Sequence, residues 1–141
     1  MSRPILARAR AYDDALPVLR ELRSAGLVTA VVSNTPWGAP GALWRDEIGR
    51  HGMDRYIDHE VYCTDVGWRK PSPQIFEEAL KRCGARSLEA VFVGDDPRWD
   101  IEGATRAGIP AVLLDRSGCF AGLHSPCAGS LREAIEWIRE Q

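Results

Sequence analysis

The sequence has no apolar run approaching the roughly 18 residues of a membrane-spanning helix, and its start, MSRPILARAR, lacks the apolar core of a secretory signal. Those absences leave no reason to expect a membrane partner and make the cytoplasm the expected compartment. There is no block of like charge: 18 Lys and Arg face 20 Asp and Glu, for a net charge of −2. Such balance gives no electrostatic footprint for nucleic acid. The four cysteines, Cys63, Cys83, Cys119 and Cys127, never form a C-x-x-C pair, and the three histidines do not cluster with them. Zinc and a disulfide framework are therefore not expected, and the thiols read as buried or surface side chains. No internal repeat, low-complexity tract or Pro/Gly/Ser-rich linker divides the 141 residues, so residues 1–141 read as one domain. Neither G-x-G-x-x-G after a strand nor G-x-x-x-x-G-K-[ST] occurs, which argues against a dinucleotide-binding domain.

What is present alternates. DDALPVLRELRSAG predicts a helix with Asp13 or Asp14 as its cap, Leu16, Leu19 and Leu22 inward, and Gly26 as its stop. LVTAVVS, residues 27–33, predicts a strand buried on both faces. A helix over GALWRDEIGRHG and a short strand at VYCTD follow. SPQIFEEALKRCG then predicts a helix capped by Ser72, with Pro73 at its first position and an inward stripe of Ile75, Phe76, Ala79, Leu80 and Cys83. EAVFVGD and IPAVLLD read as two more buried strands, separated by a short helix at IEGATRAG. The segment 118–130 reads as a surface loop, and SLREAIEWIREQ as a final helix with a Ser130/Glu133 capping box. Unbroken apolar strands alternating with helices define an α/β fold, a Rossmann-like parallel sheet with helices on both faces.

In open parallel sheets the ligand crevice lies beyond the carboxyl ends of the strands. Three such places carry polar chemistry: Ser33-Asn34-Thr35, the loop bearing Lys70, and Asp95-Asp96 with Asp100 following. Singly, each has a plainer role. Ser33 suits a turn, Lys70 a solvated charge, and Asp100 the cap of a helix beginning near Ile101. Together they form a set for phosphoryl chemistry, which depends mostly on positioning and charge neutralisation. Ser33 and the amide of Asn34 would hold phosphate oxygens and Lys70 would offset their charge. Asp95 would coordinate Mg²⁺, with Asp100 helping directly or through water.

At these residues the chain resembles the haloacid dehalogenase-like hydrolases. VVSNT matches the second motif of that superfamily, GWRKPSPQIF the third and VGDDPRWDIEGATRAGI the fourth, over about residues 12–116. The resemblance implies a Mg²⁺-dependent hydrolase of small phosphate monoesters, with Ser33, Lys70, Asp95 and Asp100 in its catalytic set. It also implies an aspartate nucleophile in a D-x-D motif at the end of a central first strand, and this sequence contains no D-x-D. Asp13-Asp14 is an adjacent pair heading a helix. The expectation is thus a core that lacks its first strand and has no recognisable cap, truncated at its N-terminus relative to the family. Such a core must fill the centre of its sheet by closing the gap, by pairing its own N-terminus, or by exchanging strands in a homo-oligomer. The rival expectation is a non-catalytic phosphate- or Mg²⁺-binding module. Trp37, Trp68 and Trp99, one beside each motif loop, would either pack those loops or form an apolar rim.

Overall fold

The computed structural model describes residues 12–35, 40–118 and 126–141, and among these, five short strands form two parallel sheets. In chain order the elements are α1 (Ala15–Ser24), β1 (Ala30–Ser33), α2 (Gly41–Arg50), β2 (His59–Tyr62), α3 (Cys63–Val66) and α4 (Pro73–Cys83). After these come β3 (Phe92–Gly94), a π-helical segment at Pro97–Glu102, α5 (Gly103–Arg106), β4 (Ala111–Leu114), β5 (Cys127–Ala128) and α6 (Leu131–Arg139).

The strands fall into two groups. β1 pairs with β2, with Val31 opposite Glu60, and β3 pairs with β4, with Val93 opposite Val112. β5 extends the second group, with Leu113 opposite Cys127. Among the described residues β1 and β3 each have a strand neighbour on one side only, and no strand joins the two groups.

Burial follows the pairing. β4, flanked by strands on both sides, carries fully buried Val112 and Leu113. The residues of β3 and most of β1 are only partly buried, and Leu27, Val28 and Val91 just before them are exposed. The expectation of two strands buried on both faces is corrected here: among the described residues each has a strand on one side only, and apolar sequence alone does not bury it.

The two groups nevertheless share a core. Ile75, Phe76 and Ala79 of α4 pack with Val61 and Cys63 on one side and Ala104, Ile109 and Ala111 on the other. The Phe76 ring meets Phe92 of β3 edge-on, with centroids 5.1 Å apart. Packing on α4 therefore holds the halves together where a ladder would ordinarily do so.

Several local expectations are revised. Asp14 stands at the head of α1 but makes no cap there. Its carboxylate accepts from both terminal Arg116 guanidinium nitrogens, at 3.1 and 2.9 Å, and from the Leu131 N–H at the start of α6, at 2.8 Å. Val18 is the buried residue of α1, and the leucines around it are partly buried. Ser72 and Pro73 begin α4 as expected, without a side-chain cap bond from Ser72. Ser130 does cap α6, accepting from the Glu133 N–H at 3.1 Å, while Glu133 reaches back to the Gly129 N–H rather than that of Ser130. VYCTD divides into the end of β2 and the helical turn α3. Cys127 and Ala128, read as loop, form β5; residues 119–125 lie outside the described part. Cys63, Cys83 and Cys127 are free thiols.

Candidate active site

Each of the three candidate loops leaves the carboxyl end of a strand or precedes a helix, and the fold brings them together. The loop after β1 is anchored at Thr35, which is fully buried and donates its N–H to Cys63 Sγ at 3.2 Å. One residue earlier the Asn34 side chain crosses to the Lys70 backbone. Its Nδ2 donates to Lys70 O at 3.1 Å, and the Lys70 N–H donates to its Oδ1 at 2.8 Å. Ser33, at the end of β1, points its hydroxyl to the Asn34 carbonyl at 3.1 Å. The first and second loops are thus fastened side by side.

Lys70 in turn meets the third loop. Its Nζ donates to Asp100 Oδ1 at 2.5 Å, and the two side chains are only 12% and 5% exposed. The ammonium also lies 5.7 Å from the centroid of the Phe92 ring. Asp100 Oδ2 accepts from the Asp96 N–H at 3.1 Å. A charge pair so removed from water survives only when its remaining polar atoms are satisfied, and both Asp100 oxygens are engaged.

The capping role considered for Asp100 belongs instead to Asp96, whose Oδ1 accepts from the N–H groups of Arg98 and Trp99 at 2.9 and 2.7 Å. Asp100 lies inside the π-helical segment, one turn beyond that cap, so its carboxylate turns back toward β3 and Lys70. This approach explains Gly94. A Cβ at that position would stand 2.5 Å from Asp100 Cγ and Oδ2. Gly94 and Phe92 were not singled out by their sequence; the one available signal was a glycine closing an apolar strand immediately before an acid.

Asp95 is exposed at the end of β3. Mg²⁺ takes all-oxygen shells and commonly uses one or two protein carboxylates, completed by water and substrate phosphate. Asp95 offers a free carboxylate and Asp100 a second that is already hydrogen-bonded. Among the described residues no group of three or more His, Cys, Asp or Glu forms a ready-made cage. Asp95 and Asp100 are the residues that would hold such an ion, with the rest of its shell left to water and ligand.

Trp68 is 50% and Trp99 43% exposed, and Arg69 Cζ lies 5.9 Å from the Trp99 ring centroid. Consecutive residues of two loops therefore pair twice, Lys70 with Asp100 inside and Arg69 with Trp99 outside. Trp37 lies outside the described residues. No helix among the described residues is long and apolar enough to cross a membrane.

The described core is a parallel α/β fold with a lysine–carboxylate pair, Lys70 and Asp100, at its strand ends. The family model of the haloacid dehalogenase-like hydrolases matches residues 3–108, and the chain belongs to that family. It is 36% identical over 110 residues to a glyceraldehyde 3-phosphate phosphatase of Methanopyrus kandleri, covering 78% of this chain and 46% of that protein. It is likewise 36% identical over 105 residues to a phosphoserine phosphatase of Thermus thermophilus, covering 74% of this chain and 41% of the relative. The crystal structure of a HAD phosphatase from Thermococcus onnurineus superposes with a TM-score of 0.85 at 28% identity, over 97% of this chain and 62% of the other. The chain thus spans less than half the length of those two sequence relatives.

Proposed function

We propose that this chain is the phosphate- and Mg²⁺-binding part of a phosphate monoester hydrolase. Ser33 and the backbone amide of Asn34 hold phosphate oxygens, Lys70 offsets their charge, and Asp95 holds Mg²⁺ with Asp100 as its support. The observation carrying this reading is the buried Lys70–Asp100 pair, which joins the second and third loops where the strand ends converge. Mg²⁺, when bound, supplies further neutralisation of the phosphate oxygens. The ligand is a small phosphorylated molecule. Relatives named for glyceraldehyde 3-phosphate and phosphoserine support that class.

The covalent acceptor is a separate matter. The 141 residues contain no D-x-D, so phosphoryl transfer has no aspartyl acceptor of the family type within this chain. Among the described residues β1 and β3 each pair on one side only, which favours completion by a further strand, and a homo-oligomer formed by strand exchange is one route. Identical copies would repair the sheet without supplying D-x-D. Hydrolysis by the family's aspartyl route would therefore need a different segment ending in that motif. The 141 residues are read as one domain, working in the cytoplasm without nucleic acid or membrane.

The engagement of both Asp100 oxygens favours a second reading, a non-catalytic phosphate- or Mg²⁺-binding module. A Mg²⁺-dependent assay on p-nitrophenyl phosphate separates the two. Turnover lost in Asp95→Asn supports an enzyme with an unrecognised nucleophile. Phosphate binding without turnover supports the binding role for this chain alone.

A further inference from the structure

The side chain of Asn34 is engaged through both its nitrogen and its oxygen, and on another loop. Nδ2 donates to the Lys70 carbonyl at 3.1 Å and Oδ1 accepts from the Lys70 N–H at 2.8 Å, across 36 residues of sequence. A primary amide is the side chain that offers a donor and an acceptor side by side, and so can pair with both groups of one peptide residue. Serine is too short to make both bonds, and leucine can make neither.

The surroundings turn this pair into a gauge. On one side of Asn34, Thr35 is buried and tied to Cys63. On the other, Ser33 ends β1, whose register against Tyr62 is set by the strand ladder. The Asn34 amide therefore starts from a fixed place. What it fixes is the backbone of Lys70, whose ammonium is further aimed by Asp100.

We propose that Asn34 is a positioning residue for the anion site: its side chain sets the spacing between the Ser33 hydroxyl and the Lys70 ammonium and makes no contact with the ligand. This inference rests on the phosphate-binding reading of Ser33 and Lys70. A direct ligand contact and a positioning role differ in one respect. A direct contact keeps its worth when Lys70 is removed, whereas a residue acting through Lys70 loses it.

The experiment is a double-mutant cycle on the full chain, read by titration calorimetry with inorganic phosphate in the presence of Mg²⁺. Asn34→Ala is expected to weaken binding about tenfold, as expected for losing the placement of one charged partner. In a Lys70→Met background the same substitution is expected to change the dissociation constant by less than about twofold. Asn34→Ser serves as a second variant should the alanine form fold poorly, and amide exchange at Lys70, whose N–H loses its acceptor, should accelerate in both. Equal losses in the two backgrounds would show that Asn34 touches phosphate itself and would overturn the inference. So would unchanged binding in both variants. If the unsubstituted chain binds no phosphate, the underlying site reading falls as well, and the two failures are thereby told apart.

Discussion

Lys70 and Asp100, thirty residues apart in sequence, form a 2.5 Å ion pair that is almost wholly shielded from water. The pair neutralises the lysine before any ligand arrives. On the proposed reading a bound phosphate would share an ammonium that Asp100 already holds, and Mg²⁺ would be held chiefly by the exposed Asp95.

Removing one member of this pair leaves the other charged and buried. Asp100→Ala is expected to destabilise the chain by about 3–5 kcal/mol, and Lys70→Met by a similar amount. The double variant should regain a substantial part of the loss, because no unpaired charge remains. Urea unfolding of the four proteins measures this, and strictly additive losses would argue against a coupled pair.

Gly94→Ala tests the crowding behind the pair. The new methyl would stand 2.5 Å from Asp100 Oδ2, so Asp100 or β3 must shift. A cost of about 1–3 kcal/mol is expected, together with weaker phosphate binding. Gly103→Ala, whose Cβ would stand 2.7 Å from Phe76 Cε2, should cost a comparable amount of stability while affecting phosphate less. Melting temperatures and phosphate titrations on both variants check the contrast.

How much of this was legible depends on the range of the interactions. Strand and helix alternation, the stop at Gly26 and the start of α4 at Pro73 are written in local residues, and the structure has them. Lys70 and Asp100, read as members of one site, do meet. Burial of β1 and β3 was overread because it depends on a neighbouring strand rather than on Val and Leu content. β5 left no trace because two residues, Cys127 and Ala128, join the sheet through their backbones. The side-chain roles of Asp14 and Asn34 depend on partners 102 and 36 residues away, so their local look as a cap and a phosphate loop said little about them.

The Asp14 bridge predicts a pH dependence. The Arg116 guanidinium, followed by the Leu131 N–H and the positive charge, holds its carboxyl below the ordinary value of 3.8, against the opposing effect of burial. Because the folded value is depressed, the stabilisation is complete above the unfolded value and is lost as pH falls through the folded one. Asp14→Asn should therefore cost about 1–3 kcal/mol at pH 7, with the gap to the unsubstituted chain closing below pH 3.8. Urea titrations at the two ends of that range measure it; a gap independent of pH would contradict the assignment.

Trp68 and Trp99 make the mouth of the site visible. Both are substantially exposed, so a phosphorylated ligand that does not absorb, such as glycerol phosphate, should shift tryptophan emission. The shift should shrink in Trp99→Phe. Emission that responds neither to ligand nor to protein concentration would leave the rings as loop packing alone.

If this chain holds phosphate and Mg²⁺ at a site without its own acceptor, calorimetric titration of the unmodified chain with inorganic phosphate, with and without Mg²⁺, shows it most directly, beside a p-nitrophenyl phosphate assay on the same sample. The expected result is binding that Mg²⁺ strengthens and Asp95→Asn weakens, with no turnover. Absence of binding, or steady turnover abolished by Lys70→Met, would contradict it.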